Sequence, residues 1–175
     1  MAEFIWFYGA SGAGKASIIN KIADGEFDLP GVRLAVVCRE SLEFGRRQRI
    51  DLLERELGKY AVSSDAVLIK GQGVDLGKLR LPYRIHEAYP DLRQQVVFVY
   101  AKPDLLPQRI EFRRDNYWPS PKHDFIKETE SQIANVAKLC DDLAIKPLLI
   151  DNSGKRPQIK TSHDLAGFYQ EAKAS

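Results

Sequence analysis

The residues with the clearest chemistry form one short segment near the start of the chain, Gly9-Ala10-Ser11-Gly12-Ala13-Gly14-Lys15-Ala16-Ser17. Glycine, four residues, then glycine and lysine is the spacing of a phosphate-binding loop. Small residues are needed because the backbone N–H groups of the loop must come within hydrogen-bonding distance of a polyphosphate. The segment therefore predicts a loop that binds nucleotide phosphates, with Lys15 reaching the β- and γ-phosphates.

One position of this loop departs from the motif. A serine or threonine that holds Mg²⁺ should follow Lys15, but Ala16 stands there. Ser17 lies about 100° further round the helix axis, so we do not expect it to replace that ligand cleanly. Three interpretations stay open: phosphates, water and a carboxylate hold the metal; turnover is weakened; or nucleotide binds without turnover. The metal ligands are therefore unknown at this point.

The elements that position the loop follow from hydrophobic patterning. Five apolar runs of strand length alternate with stretches of helical period, at residues 4–8, 34–38, 66–69, 96–100 and 147–150. Continuously apolar strands that alternate with helices are typical of a parallel sheet covered on both faces. The sequence therefore predicts an α/β fold in a single domain that spans residues 1–175.

Several helices are predicted between these strands. The first runs from about Gly14 to a stop near Gly25, and an apolar stripe indicates another over residues 44–57. A loop and a short helix are expected within 71–89. A helical pair should occupy 104–114 and a second stretch with Ser120 as its N-cap. The last helix is expected from about 163, capped by Ser162.

Composition limits the protein classes. The chain has 175 residues, 44% hydrophobic residues and a formal charge of +2, and no apolar run approaches the ~20 residues of a membrane helix. We expect a cytoplasmic protein with no membrane partner, in which Cys38 and Cys140 are buried thiols. The charge neither requires nor excludes nucleic acid, and the three histidines have no metal-ligand spacing with the cysteines.

With this loop, five strands and a helical pair before the last strand, the chain resembles the small P-loop kinases of the nucleotide-kinase and polynucleotide-kinase-like type. The resemblance implies a five-stranded parallel sheet of order 2-3-1-4-5, with helices on both faces and a helical lid at about 103–121. It also implies that ATP, with Mg²⁺, lies across the carboxyl ends of the strands, where ligands of such sheets generally bind.

The lid segment carries arginines. Arg109 and Arg113 lie four residues apart on one helical face, and Arg114 flanks them. In the family that the chain resembles, arginines of this segment neutralise charge on the transferring phosphoryl group, and guanidinium suits phosphate oxygens well. A solvated helix paired with Glu111 and Asp115 is the competing interpretation.

Other candidate residues lie at strand ends. In related sugar, shikimate and polynucleotide kinases an acid at the end of the second strand serves the acceptor hydroxyl, so Glu40 is the candidate base. Arg39 and Gln72 are candidates for substrate contacts, and Arg46 for gripping a phosphate-bearing acceptor. Asn152 is placed where such kinases hold the adenine. Surface ion pairs are the alternative for Arg39, Glu40 and Arg46.

The third strand ends in Lys70 instead of the usual metal-orienting acid. Nevertheless, the sequence favours an ATP-dependent phosphotransferase that acts on a hydroxyl of a nucleotide-like or nucleic-acid acceptor, including a 5′ end or a hydroxymethyl pyrimidine in DNA. A kinase of a small sugar phosphate is one alternative. A nucleotide-binding regulatory protein without turnover is the other, because of Ala16 and Lys70. The oligomeric state is left open.

Overall fold

A computed structural model describes residues 3–30, 37–40, 66–71, 76–111 and 123–174. The strands are β1 (Glu3–Tyr8), β2 (Val37–Glu40), β3 (Ala66–Lys70), β4 (Gln94–Tyr100), β5 (Leu148–Asp151) and β6 (Gln158–Lys160). The helices are α1 (Lys15–Ala23), α2 (Leu76–Ala88), α3 (Leu106–Glu111), α4 (Phe125–Asp142) and α5 (Leu165–Ala174), and a 3₁₀ turn (Pro103–Leu105) precedes α3.

The strands form one sheet of order β2-β3-β1-β4-β5-β6. The first five pair in parallel, which confirms the predicted order 2-3-1-4-5. The prediction of a wholly parallel sheet was wrong, because β6 pairs antiparallel to β5 with Ile150 opposite Ile159. This strand has only three residues and one apolar side chain. It therefore lacks the continuous apolar pattern that revealed the buried strands.

Alternate residues of β1 enter two different hydrophobic cores. Phe4, Trp6 and Tyr8 pack on one face of the sheet, whereas Ile5 and Phe7 pack on the other. The first core includes apolar side chains of α2, α4 and α5, and the second includes those of α1 and α3. Helices therefore cover both faces, as predicted. Burial on both sides explains why β1 reads as an unbroken apolar run.

Two helix starts differ from the predictions. Helix α4 begins at Phe125, where the Asp124 side chain accepts a hydrogen bond from Lys127 N at 2.9 Å, so Ser120 is not its N-cap. Helix α5 begins at Leu165, where Asp164 accepts from Gly167 N, and not at His163 with Ser162 as cap. In both cases an aspartate nearer the apolar stripe caps the helix, since it reaches the third amide of the first turn.

Other helix boundaries lie closer to the predicted ones. Helix α1 ends at Ala23, and Gly25 follows with φ +73°, which confirms the predicted stop. Helix α2 has 13 residues and contains Pro82, so it is longer than the short helix predicted there. The predicted helix at 44–57 and the part of the proposed lid beyond residue 111 lie outside the described residues. Within the part of the chain that the structure describes, no helix is long and apolar enough to cross a bilayer.

Candidate functional site

The loop between β1 and α1 adopts a backbone shape that needs glycine. Gly9, Gly12 and Gly14 have φ values of +141°, +82° and +98°. A side chain at Gly9 would overlap the carbonyl of Val99 on β4, and one at Gly12 would crowd Ile110 on α3. The glycine spacing in the sequence therefore has a direct structural cause, since the loop is strongly curved and tightly packed.

The loop leads directly into the N-terminus of α1. Gly14 is the N-cap residue, and the first turn of α1 contains no acidic side chain. The first amides of a helix have no partners within the helix, and its dipole places partial positive charge at this end. Such a terminus favours an anion, and phosphate is the usual one at this kind of junction.

Lys15, the first residue of α1, folds back over the loop. Its side chain is buried, and Nζ donates to the carbonyls of Gly9 at 2.6 Å and of Ala10 at 3.0 Å. A buried ammonium group must be well hydrogen-bonded because its desolvation is costly. The loop carbonyls thus hold the charged end of Lys15 inside the curve of the loop, next to the amides of the junction.

Two residues from distant parts of the chain complete the site. Asn152, just beyond β5, donates from Nδ2 to the carbonyl of Ala13 at 2.8 Å. Arg109, on α3, donates from Nη2 to the Asn152 carbonyl at 2.6 Å. Among the described residues, the Arg109 Nη1 atom is buried and has no hydrogen-bond partner. Arg109 therefore has a donor available for a ligand at this site.

A cavity of about 410 Å³ opens at this point, within the size range of small-ligand pockets. It is lined by Gly12, Gly14, Ala16, Ser17, Arg109 and Asn152. Sequence analysis proposed all six for the nucleotide site, and the structure brings them together around one space. The space lies beside the carboxyl ends of β1 and β5, the edge where parallel α/β sheets generally bind ligands.

The buried phenols beneath this site are neutral. Burial raises the pKa of Tyr8, the residue before the loop, far above its ordinary value. Burial, with the neighbouring Tyr169, Asp151 and Asp104, raises the pKa of Tyr100 to about 12. Neither phenol ionises near neutral pH, so neither adds the negative charge that would repel an anion from the site.

The structure describes the remaining candidate residues only in part or not at all. Arg39 and Glu40 end β2, where Glu40 is aligned with Ile69 of β3, so β3 separates them from β1. Their side chains lie outside the described part of the chain. Arg46, Gln72, Arg113 and Arg114 also lie outside the described residues. Their proposed roles stay predictions.

The described residues do not supply a preformed metal site. Ala16 lines the cavity at the position where a hydroxyl ligand is expected, and its methyl group offers no donor atom. Within the described residues, no group of three or more His, Cys, Asp or Glu side chains could hold a metal ion. Among the described residues that line the cavity, Ser17 offers a hydroxyl, and phosphate oxygens and water would supply other ligands to any Mg²⁺ that arrives with a nucleotide.

Sequence analysis missed one contact to the loop. Glu128 of α4 accepts hydrogen bonds from both the amide and the hydroxyl of Ser11, and its other oxygen lies 2.7 Å from His123 Nε2. Glu128 belongs to no local motif, and in the sequence it is one of several charged residues on an amphipathic helix. Only the packing of α4 beside the loop reveals it.

Comparison with known proteins identifies the fold. No protein-family model matches the chain, and no curated protein has a detectably similar sequence. The chain is similar to a solved structure from the PezAT chromosomal toxin–antitoxin system of Streptococcus pneumoniae, with a TM-score of 0.52, 17% identity and coverage of 97% of this chain and 78% of that chain.

A shikimate kinase from Bacteroides thetaiotaomicron is similar with a TM-score of 0.50 and 13% identity, and the match covers 98% of this chain and 97% of that chain. At these identities the likeness concerns the fold and not the substrate. Together with the loop and the sheet order, it shows that this chain has a small P-loop kinase-like fold.

Proposed function

We propose that this protein is an ATP-dependent phosphotransferase that moves the γ-phosphoryl group to a hydroxyl of a nucleotide-like or nucleic-acid acceptor. The observation that carries the proposal is the junction of loop and helix. Gly12 and Gly14, both at positive φ, and Ala16 and Ser17 in the first turn of α1 line one end of a cavity. The buried ammonium group of Lys15 is held by the carbonyls of Gly9 and Ala10 in the same loop. Backbone amides and one ammonium group arranged in this way suit a polyphosphate.

The roles of the individual residues follow from their chemistry. Lys15 would exchange its loop carbonyls for β- and γ-phosphate oxygens, and the amides at the start of α1 would bind the phosphate nearest the helix. Arg109, whose buried Nη1 donor has no partner within the described part of the chain, would bind a ligand oxygen in the cavity. Glu40 would orient the acceptor hydroxyl and take its proton. Mg²⁺ would neutralise phosphate charge when it is bound.

The acceptor class is proposed from polar residues at the end of β2 and in the segments that follow β2 and β3 in the sequence. Arg39 at the end of β2, together with Arg46 and Gln72, would contact a phosphate-bearing acceptor such as a nucleotide or a nucleic-acid strand. Planar guanidinium groups bind phosphate oxygens through two donors, which suits this kind of acceptor better than an uncharged sugar.

A transfer assay tests the proposal. The purified chain is incubated with Mg²⁺ and ATP labelled in the γ-phosphate, together with mononucleotides, oligonucleotides with free 5′ hydroxyls, hydroxymethylated DNA or sugar phosphates. We expect label in one of the first three acceptors and none with Lys15→Ala. Transfer only to a sugar phosphate would replace the proposed acceptor class, and ATP binding without any transfer would contradict the enzymatic proposal.

A nucleotide-binding regulator without turnover is the second candidate. Two observations favour it: Ala16 offers no hydroxyl to a metal, and β3 ends in Lys70, where a metal-orienting acid is expected. Tight ATP binding that never leads to transfer, even in Ala16→Thr, would support the regulator. Transfer that appears in Ala16→Thr would instead show that the alanine weakens an otherwise competent kinase.

A further inference from the structure

The phosphate loop is held from outside by a carboxylate that no sequence motif predicts. Glu128 Oε1 accepts hydrogen bonds from Ser11 N at 2.9 Å and from Ser11 Oγ at 3.0 Å, although the two residues are 117 positions apart. Only 9% of the Glu128 side chain is exposed. Hydrogen bonds to an ionised, largely buried carboxylate are stronger than neutral ones, so this contact constrains the loop firmly.

The contact fixes the orientation of one peptide group. The carbonyl of Ala10 accepts from Lys15 Nζ at 3.0 Å, while the N–H that belongs to the same peptide, that of Ser11, donates to Glu128. The same carbonyl also accepts from Ala13 N at 3.1 Å, so a rotation of this peptide would break all three hydrogen bonds together. When a phosphate draws Lys15 away from the Ala10 carbonyl, Glu128 still holds the other side of the peptide. The loop can therefore keep its shape while its lysine changes partner.

The carboxylate is itself oriented. Its second oxygen, Oε2, lies 2.7 Å from His123 Nε2. The His123 ring packs edge-on against Phe125, with 4.7 Å between the ring centroids. Asp124, between these two residues, caps the first turn of α4 and fixes the backbone from which both His123 and Glu128 project. A carboxylate that is held at both oxygens has little freedom to leave the loop.

Glu128 does not occupy the space proposed for the nucleotide. The cavity is lined by loop residues from Gly12 onward and by Arg109 and Asn152, whereas the contact with Glu128 is made at Ser11. The donors that face the cavity therefore stay available to a ligand. This arrangement argues for support of the loop and against competition between the carboxylate and a phosphate.

We propose that Glu128 is a positioning residue of the phosphate site, and that His123 orients its carboxylate. The inference rests on the proposed function only in taking the loop to bind phosphates; it does not depend on the acceptor or on turnover. Its role is to preorganise the loop, which lowers the cost of binding because less order has to be imposed when the ligand arrives.

The test measures binding of ADP and of inorganic tripolyphosphate by calorimetry, at a temperature well below the melting point of each variant. We expect Glu128→Ala to weaken the binding of both ligands about tenfold, which is the effect expected from the loss of one charged hydrogen bond. Glu128→Gln should stay within about threefold of the original affinity, because its amide oxygen still accepts from Ser11, and its NH₂ group donates to His123 Nε2 once the neutral imidazole carries its proton on Nδ1.

Glu130→Gln is the matched control, since Glu130 lies on the same helix and pairs with Lys173 at 2.9 Å, away from the loop. It should bind both ligands as tightly as the original chain. Melting temperature and circular dichroism separate loss of fold from loss of loop geometry, because a purely structural role would lower the melting point without selectively weakening ligands. When Ser11→Ala is already present, adding Glu128→Ala should reduce ligand affinity less than Glu128→Ala does in the original chain.

The inference would be overturned if Glu128→Ala bound ADP and tripolyphosphate with unchanged or higher affinity. It would also be overturned if Glu128→Gln lost as much affinity for them as Glu128→Ala. Failure of the premise taken from the proposed function, that the loop binds phosphates, has a different signature. In that case the original chain would bind neither ADP nor tripolyphosphate, and Lys15→Ala would make no difference.

Discussion

Asn152 holds the phosphate loop in place through Ala13: its side-chain amide donates to the Ala13 carbonyl at 2.8 Å, across 139 positions of the chain. Its own backbone N–H donates to the Tyr100 carbonyl at 2.8 Å, which fixes the residue between β4 and β5. The end of β5 is thereby joined to the loop that follows β1. This contact explains why the next loop residue must be glycine, since a side chain at Gly14 would overlap the Asn152 amide.

Gly14→Ala should therefore lose both stability and nucleotide binding. Alanine at φ +98° is strained by about 1 kcal/mol, and the overlap with Asn152 adds to that cost. Gly25→Ala is the control, because Gly25 also has positive φ, at +73°, but an added Cβ would meet no atom of the described residues within 4 Å. Thermal denaturation and ADP titration should show the larger loss for Gly14→Ala. Equal losses for the two variants would refute the role given to Asn152.

Arg109→Ala should weaken ATP binding about tenfold, since its guanidinium lies in the cavity wall. It should also lower the melting temperature, because the hydrogen bond to the Asn152 carbonyl is lost. Arg109→Lys should recover only part of the affinity, because an ammonium group cannot bind two oxygens in parallel. Arg93→Ala is a suitable control, because Arg93 pairs with Glu3 at the amino ends of β1 and β4, whereas the cavity lies at the carboxyl ends of the strands. Calorimetry with ATP distinguishes these outcomes, and unchanged affinity in Arg109→Ala would remove the residue from the site.

Ala16→Thr should increase the dependence of ATP binding on Mg²⁺, since it places a hydroxyl at the position that the phosphate-loop motif reserves for a metal ligand. Ala16→Val has nearly the same shape without the hydroxyl and serves as the matched control. We expect Mg²⁺ to strengthen ATP binding several-fold more in Ala16→Thr than in either the original chain or Ala16→Val. Identical magnesium titrations of the two variants would show that the metal does not approach this residue.

Glu40→Gln should slow phosphoryl transfer by roughly 100-fold or more while ATP affinity stays nearly constant, because the amide cannot accept the proton of the acceptor hydroxyl. Glu26→Gln, an exposed glutamate beyond the end of α1, is the control for loss of one negative charge. Transfer rates and ATP dissociation constants are measured on the same preparations. A Glu40→Gln rate equal to that of the original chain would exclude Glu40 as the base.

Cys140 should be almost inert to alkylation in the folded protein. Only 3% of the residue is exposed, and burial, with a smaller effect of Asp141, raises the pKa of its thiol to about 12. Because the thiolate is the nucleophile, modification should stay slow between about pH 7 and about pH 9 and become rapid only after denaturation. Mass spectrometry of the peptide that contains Cys140 measures this. Rapid alkylation of the native chain would contradict the burial of α4 against the sheet.

Much of the fold could be predicted because its signals are local or periodic. The strands β1, β3, β4 and β5 were located within two residues at each end, since they are buried on both faces and read as apolar runs. The exceptions have clear causes: β6 has one apolar residue, and helices α4 and α5 start at aspartate caps that competed with nearby serines. Of the two cysteines, Cys140 is buried and free as expected, whereas the side chain of Cys38 is not described.

The phosphate loop could be predicted from a few consecutive residues, because it needs glycine at positive φ and a lysine at the start of a helix. The sequence also determined the α/β class and the order of the five parallel strands, the latter through resemblance to the small P-loop kinases. The residues that surround the loop are known only from the packing of the folded chain. The contacts of Asn152 with Ala13 and of Glu128 with Ser11 join residues more than a hundred positions apart. Such contacts depend on how helices and strands pack, and no pattern within one segment encodes them.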